Sequence, residues 1–315
     1  MHAAEYHTHV QAMLLAAGLG TRLQPLTDLR PKPIVPVANR PLAVFAIEHL
    51  ARSGIDRIVA NTHPEPDLVE STLKAACPRD VDLRFSREET LLGTGGGLGK
   101  ARLLFDEPQA PVVVMNGDTL FAPDLQHAYV QHLARGAVAT MILRHTPHPE
   151  RFGAIGIDDE GWIRTLLGAP SDGRAREALM FTGVQILAPE AFSAMPESGC
   201  VIRTAYRRLV DTGAPVLGII DDSPWADLGT VPEYHRLNLE LASGLFPWRG
   251  VEPQDGCILA PSLEPSAHIR QSVVGTDVDI AAGVTLDRCV VWPGSTVTES
   301  ATNMVITPRH RIEIS

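Results

Sequence analysis

The chain is poor in the features that mark several large protein classes. Its four cysteines (Cys77, Cys200, Cys257 and Cys289) are scattered over 315 residues with no C-x-x-C pair. That spacing suits neither a zinc site nor a dense disulfide framework, and it reads as reduced thiols. No apolar run approaches the ~20 residues of a membrane helix. The start, Met1-His2-Ala3-Ala4-Glu5-Tyr6-His7, lacks a basic segment leading into an apolar one. Neither export nor membrane spanning is expected, and a cytoplasmic location is. Clusters of Lys and Arg are also missing, and the formal charge is −10. This argues against a nucleic-acid partner, whose phosphate backbone calls for clustered cations. A small anionic substrate needs only a few focused ones. His2, His7 and His9 lie near a chain end and read as solvent-exposed.

What is present is a soluble composition, 44% hydrophobic and 20% charged, in a chain about twice the usual domain length. Gln11 to Ala17 is an apolar run ending in small residues, the pattern of a buried strand entering a tight loop. Pro41 opens a helical stretch closed by Gly54, and Arg57 to Asn61 reads as the next strand. Pro66 to Ala76 then reads as helix, Val81 to Ser86 as strand and Leu98 to Phe105 as helix. Val112 to Met115 is a strand halted at Asn116-Gly117-Asp118. Asp124 to Arg135 is a capped helix before a strand over Ala137 to Leu143. The expected fold is α/β, a Rossmann-like, mostly parallel mixed sheet flanked by helices, over residues 1–245. Ligands in such sheets bind beyond the carboxyl ends of the strands.

Pro247, Gly250, Pro253 and Gly256 then mark a linker. Beyond it Val274, Ile280, Leu286 and Trp292 recur every six residues, with Val278, Val284, Val290 and Thr296 four positions after each. This is the spacing of a hexapeptide β-helix, so residues 246–315 are expected to form a short left-handed coil. One or two coils cannot bury their own apolar residues, which points to cover from the main domain or from a second copy of the chain in a homo-oligomer.

The strongest motif runs from Leu14 to Thr27 (LLAAGLGTRLQPLT) and continues as Arg30-Pro31-Lys32-Pro33. Glycines allow close approach of the backbone to a polyphosphate, Arg22 offers a planar fork of donors, and Lys32 between prolines is a positioned charge. Two better-known phosphate motifs fail. The G-x-G-x-x-G fingerprint meets Leu23 at its third glycine, and a P-loop around Gly99-Lys100 has Thr94 for its first glycine and Ala101 for its Ser or Thr.

With G-x-G-x-R, P-x-T and P-K-P in this order, the sequence resembles the sugar-1-phosphate nucleotidyltransferase family. It is similar to mannose-1-phosphate guanylyltransferases and N-acetylmuramate-1-phosphate uridylyltransferases. The likeness extends through Gly93-Thr94-Gly95-Gly96-Gly97, Asn116-Gly117-Asp118, Phe181-Thr182-Gly183 and Trp225-Ala226-Asp227, over roughly residues 11 to 240. It implies a Mg²⁺-dependent reaction of a nucleoside triphosphate with a sugar 1-phosphate, giving a nucleoside diphosphate sugar and pyrophosphate. Gly18, Gly20, Thr21 and Arg22 would cradle the β- and γ-phosphates, and Lys32 would neutralise charge on the α-phosphate. Asp118 and Asp227 would hold the metal, and Leu15, Ala16, Ala17 and Gly117 would join the nucleotide site. Gly95 and Gly96 would lie against the nucleobase and Glu88 would read its edge. Gly153, Thr182 and Gly183 would line the sugar.

Several choices stay open at this stage. A carboxylate at Glu88 favours GTP through guanine N1–H and N2–H, yet it equally accepts uracil N3–H. The family's frequent Glu-Lys-Pro element is replaced by Leu167-Gly168-Ala169-Pro170, which tilts away from glucose 1-phosphate and leaves mannose, heptose and N-acetylmuramate 1-phosphates. A non-catalytic nucleotide-sugar-binding regulatory subunit is the alternative from another class. The intact charged set Arg22, Lys32, Asp118 and Asp227 weighs against it. An acyltransferase built on the coil would need a longer coil and a catalytic histidine, for which His268 is a poor candidate.

Overall fold

β-Branched and aliphatic runs become the strands of one large mixed sheet. The computed structural model describes residues 10–167, 173, 175–261 and 268–314. His2, His7, His9 and Gly168-Ala169-Pro170 lie outside them. By compactness the chain forms two units, one of the chain up to Gly18 with Ala43–Trp225, the other of Leu19–Leu42 with Ala226–Ser315.

In the first unit, β1 (Gln11–Leu15), β2 (Arg57–Thr62), β3 (Asp82–Arg87) and β4 (Val112–Asn116) are parallel in the spatial order β4-β1-β2-β3. The central strands read as continuous apolar runs because both faces are covered, and Ala12, Met13, Leu14, Val113 and Val114 are fully buried. Further strands follow, β5 (Ala139–Arg144), β6 (Ile155–Ile157), β7 (Ile163–Leu166), β8 (Glu177–Leu187) and β9 (Val216–Ile220). β8 runs antiparallel to β4, β5 and β6, while β9 is parallel to β5.

The longer helices of this unit are α1 (Val44–Arg52), α2 (Pro66–Ala76), α3 (Gly93–Ala101) and α4 (Leu125–Ala134). The last is capped as its sequence predicts, with His127 N–H donating to Asp124 at 2.9 Å. Two expectations shift. The first helix starts at Val44 rather than Pro41, because Arg40–Pro41 is paired in a two-residue ladder with Pro36–Val37. The helix expected from Leu98 begins at Gly93, and the glycine run forms the first turns of α3.

In the second unit, α5 (Val231–Ser243) starts from the N-cap Thr230, whose hydroxyl donates to Glu233 at 3.0 Å and accepts from the Glu233 N–H. The coil stacks β10 (Ile258–Leu259), β11 (Val273–Val274), β12 (Thr285–Val291) and β13 (Ala301–Ile306) in parallel, and β14 (Arg311–Glu313) closes the ladder antiparallel. Val274, Leu286, Val291 and Val297 form its core. Trp292 Nε1–H donates to Tyr234 Oη at 2.9 Å, and the His235 ring meets the Arg288 carbonyl at 2.8 Å. Part of the cover that the isolated coil was expected to need is therefore supplied by α5.

Candidate active site

Sheet topology places the first loop of interest. The chain steps from β1 to β2 and β3 on one side and then returns with β4 on the other, so the crevice at the carboxyl ends of β1 and β4 is a topological switch point. Leu15 to Gly18 leaves β1 there, and Asn116-Gly117-Asp118 leaves β4. The two are locked together: Gly117 N–H donates to the Leu15 carbonyl at 2.8 Å, and a Cβ at Gly117 would come within 3.1 Å of that same oxygen. Asp118 follows in a turn and is partly exposed.

Three backbone donors of this loop bond within the protein. Ala16 and Ala17 N–H both donate to Asn61 Oδ1, at 2.8 and 3.3 Å, and Gly18 N–H donates to the His63 carbonyl at 3.1 Å. These amides are spent inside the protein. What Gly18 contributes is space, because a Cβ there would meet nothing within 4 Å among the described residues.

On the expected nucleobase side, Glu88 is held within the scaffold. It is only 4% exposed. Oε1 accepts from Asn61 Nδ2 at 2.7 Å and Oε2 from Leu92 N–H at 2.8 Å, so the carboxylate faces the scaffold. Gly95 and Gly96 face the 196–199 segment. A Cβ at Gly95 would lie 2.7 Å from the Pro196 ring, and one at Gly96 would strike the Glu197–Ser198 backbone. Gly95 N–H donates to Gly199 O at 2.8 Å and Val201 N–H to Thr94 Oγ1 at 2.9 Å. The glycines in α3 thus admit the 196–199 segment, a demand of the protein's own packing.

Around the expected sugar side, Thr182 is 1% exposed and its hydroxyl donates to the Ile142 carbonyl at 2.7 Å. Thr182 thus bonds within the sheet. Its own carbonyl instead accepts from Trp225 Nε1–H at 2.9 Å. Phe152 packs edge-on to Trp225 at 5.9 Å and the Arg144 guanidinium sits 5.9 Å from the ring centre. Gly183 has φ +89°, and a Cβ there would fall 2.6 Å from Asn116 Nδ2. Gly153, at φ +76°, ends a short turn facing Leu167.

The second unit carries the remaining charged groups. Gly20 is left-handed at φ +62°, and a Cβ would press on Thr27 Cγ2 at 2.8 Å and on Lys32 Cβ at 3.1 Å. Thr27 Oγ1 donates back to the Gly20 carbonyl at 3.0 Å, so the Thr21–Leu23 turn is held over Lys32, which is 8% exposed between buried prolines. Thr21 and Arg22 are exposed. Gly229 gathers three charged groups: the position of its missing Cβ lies 3.1 Å from Arg22 Nη1, 3.1 Å from Asp227 Oδ2 and 2.8 Å from Glu233 Oε2.

Sequence reasoning passed over Asn61 and His63, which tie the β1 loop, and Glu233 beside Arg22. Asn61 had a legible signal, a polar residue directly after the apolar run Ile58-Val59-Ala60.

A parallel-strand crevice with a glycine loop on one strand and an Asn-Gly-Asp turn on the next defines an α/β protein built to handle a nucleotide or similar ligand. The nucleotidyl transferase family matches residues 11–244, and the chain belongs to it, among the sugar-1-phosphate nucleotidyltransferases. It is 32% identical over 265 residues to a UTP–glucose-1-phosphate uridylyltransferase of Synechocystis, covering 78% of this chain and 68% of that protein. It is 28% identical over 298 residues to a mannose-1-phosphate guanylyltransferase of Mycobacterium tuberculosis, covering 91% of this chain and 81% of the relative. A D-glycero-alpha-D-manno-heptose 1-phosphate guanylyltransferase of Aneurinibacillus thermoaerophilus is 27% identical over 74% of the chain and 98% of its own length. The fold is also that of HddC from Yersinia pseudotuberculosis, solved complexed with GMP-PN, with a TM-score of 0.59 at 20% identity over 72% of this chain and 97% of that one. Among the described residues no helix is long and apolar enough to cross a membrane.

Proposed function

We propose that the chain transfers a nucleotidyl group from a nucleoside triphosphate to a sugar 1-phosphate, with residues 1–245 catalytic, residues 246–315 an appendage, and the cytoplasm as its place of action. The observation that carries this reading is Gly18, at the carboxyl end of β1 beside the pinned Asn116-Gly117-Asp118 turn. No described residue would touch its Cβ, so its bareness serves something that approaches the loop from outside.

In the reaction an ionised oxygen of the sugar phosphate attacks the α-phosphorus. The bond from that phosphorus to the oxygen bridging to the β-phosphate breaks, and the electron pair leaves with pyrophosphate. Because the attacking phosphate is already ionised at neutral pH, no general base is assigned. The triphosphate is held by Arg22 and by the first N–H groups of the Thr21–Leu23 turn, which a helix start leaves without an intrahelical acceptor. Lys32, buried and flanked by prolines, presents a fixed charge to the α-phosphate.

The donor set suits Mg²⁺. Among the described residues no three His, Cys, Asp or Glu side chains gather as a protein cage. Mg²⁺ usually takes one or two carboxylates, with phosphate oxygens and water completing its shell. Asp118 and Asp227, both partly exposed, are the proposed ligands, and the bound ion would neutralise phosphate charge.

Guanylyl transfer to mannose or heptose 1-phosphate is the leading substrate reading, supported by the names of two relatives that span most of the chain. Uridylyl transfer to a hexose 1-phosphate is second, supported by the relative at 32% identity. Pyrophosphate release measured over a grid of common triphosphates against mannose, heptose, glucose, N-acetylglucosamine and N-acetylmuramate 1-phosphates separates them. One active pair is expected; silence throughout, with triphosphate binding retained, contradicts turnover and favours a regulatory role.

A further inference from the structure

A chain of buried polar contacts runs behind the β1 loop, and the proposed chemistry does not use it. Asn61 is 2% exposed near the end of β2. Its Oδ1 faces the Ala16 and Ala17 N–H groups and its Nδ2 faces Glu88 Oε1. The polarity of the amide is thereby settled, since a flip would turn donors toward the Ala16 and Ala17 donors and oxygen toward a carboxylate. Glu88 Oε2 carries the chain on to Leu92 N–H, at the residue before α3. Gly97 closes the cage: a Cβ there would sit 2.7 Å from Glu88 Oε1 and 2.8 Å from Asn61 Nδ2.

A buried carboxylate held by neutral N–H donors is costly to maintain. Here its position gives it a task. The charge polarises the Asn61 amide and strengthens Oδ1 as an acceptor, drawing the Ala16 and Ala17 amides inward. One side-chain pair therefore joins the β1 loop, the end of β2 and the start of α3.

We propose that Asn61 and Glu88 are a positioning pair, setting the shape of the nucleotide-side loop at Ala16–Ala17 and acting alike for every nucleobase. The proposal rests on the nucleotide site argued above and assigns Glu88 no contact with the base.

The test exchanges the chemistry of the pair. Glu88→Gln removes the charge and cannot satisfy Asn61 Nδ2 and Leu92 N–H together. Asn61→Asp still accepts from the Ala16 and Ala17 amides but sets one carboxylate against another. The double variant restores each bond: the carboxylate at 61 accepts from both amides and from the introduced amide nitrogen at 88, whose oxygen accepts from Leu92 N–H. One negative charge is kept, moved from position 88 to position 61.

Triphosphate affinity and pyrophosphate release are read together for each variant. Each single change is expected to weaken triphosphate use about tenfold or more, by the same factor for every triphosphate the wild type accepts. The double variant should recover to within about threefold. Gly97→Ala, which wedges the pair apart without changing any polar group, should reproduce the uniform loss if a single polar variant does not fold. A Glu88→Gln enzyme with altered preference among triphosphates, or a double variant no better than the singles, would overturn the proposal. A wild type that binds triphosphate without turnover fails the functional reading alone, and the binding arm still decides the pair.

Discussion

Gly183→Ala offers a quantitative check on the Asn116-Gly117-Asp118 turn. Two costs are separable. An alanine held in a left-handed conformation costs about 1–2 kcal/mol. Gly136, at φ +59° past the end of α4 with nothing within 4 Å of its Cβ site, isolates that backbone term. Gly183, at φ +89°, adds a Cβ 2.6 Å from Asn116 Nδ2 and 2.8 Å from its Cγ, below any normal contact. Overpacking of this kind adds about 1–3 kcal/mol. Gly136→Ala should therefore lower the melting temperature by about 2–8 °C, at about 2–4 °C per kcal/mol for a unit of this size. Gly183→Ala should lower it further, by about another 2–12 °C on the same scale. More telling is turnover. Asn116 must move, and it is two residues from Asp118, so Gly183→Ala should also reduce kcat by about tenfold or more, an allowance that matches about 1.4 kcal/mol. Gly136→Ala should leave kcat alone. Thermal unfolding and pyrophosphate release on both variants decide it. Equal melting shifts with unchanged turnover in both would refute the packing of Gly183 on Asn116 as the control of this turn.

Three further outcomes follow from the same structure. Tyr206 is fully buried, and its hydroxyl has no hydrogen-bond partner among the described residues; Tyr206→Phe should leave stability unchanged or raise it by about 1 kcal/mol in urea unfolding, and a loss above that size contradicts the assignment. His145 lies between Asp222 at 2.7 Å and Glu177 at 2.6 Å, and bonds to Asp222 and then Glu177 raise its pKa above the ordinary histidine value. Its ionised form is thus favoured by folding, so the stability margin of wild type over His145→Gln should be full below about pH 6.5 and should fade as pH rises through the folded pKa; a margin that grows with pH is the contrary result. Asp118→Ala should abolish Mg²⁺-dependent turnover with the unfolding transition intact, and retained activity at wild-type Mg²⁺ dependence would remove Asp118 from the metal site.

Strands and their stops were legible because periodicity and punctuation are local. Val112 to Met115 is β-branched and ends at Asn-Gly-Asp, and the strand observed there ends one residue later. The six-residue repeat likewise announced a parallel coil. Packing between distant segments was not legible. Nothing in residues 19–42 signals that Ala38 N–H donates to Asn238 at 2.8 Å or that the Pro36 carbonyl accepts from Tyr234 at 2.6 Å, the bonds by which this segment joins Ala226–Ser315. The same limit governed single residues in the site. Glycine in α3 looks alike whether a base or the Glu197–Ser198 backbone requires it, and a glutamate looks alike whether it faces a ligand or Asn61. Thr182 matched a motif by identity, while its hydroxyl answers to a β5 carbonyl forty residues away.

The most direct test of the central claim follows label from the triphosphate, using the productive pair from the substrate grid. With the α-phosphate labelled, the account predicts label in a nucleoside diphosphate sugar; with the γ-phosphate labelled, it predicts label in pyrophosphate and none on the sugar. Label from the γ-position in inorganic phosphate or on the sugar would contradict attack at the α-phosphorus, and with it the proposed function.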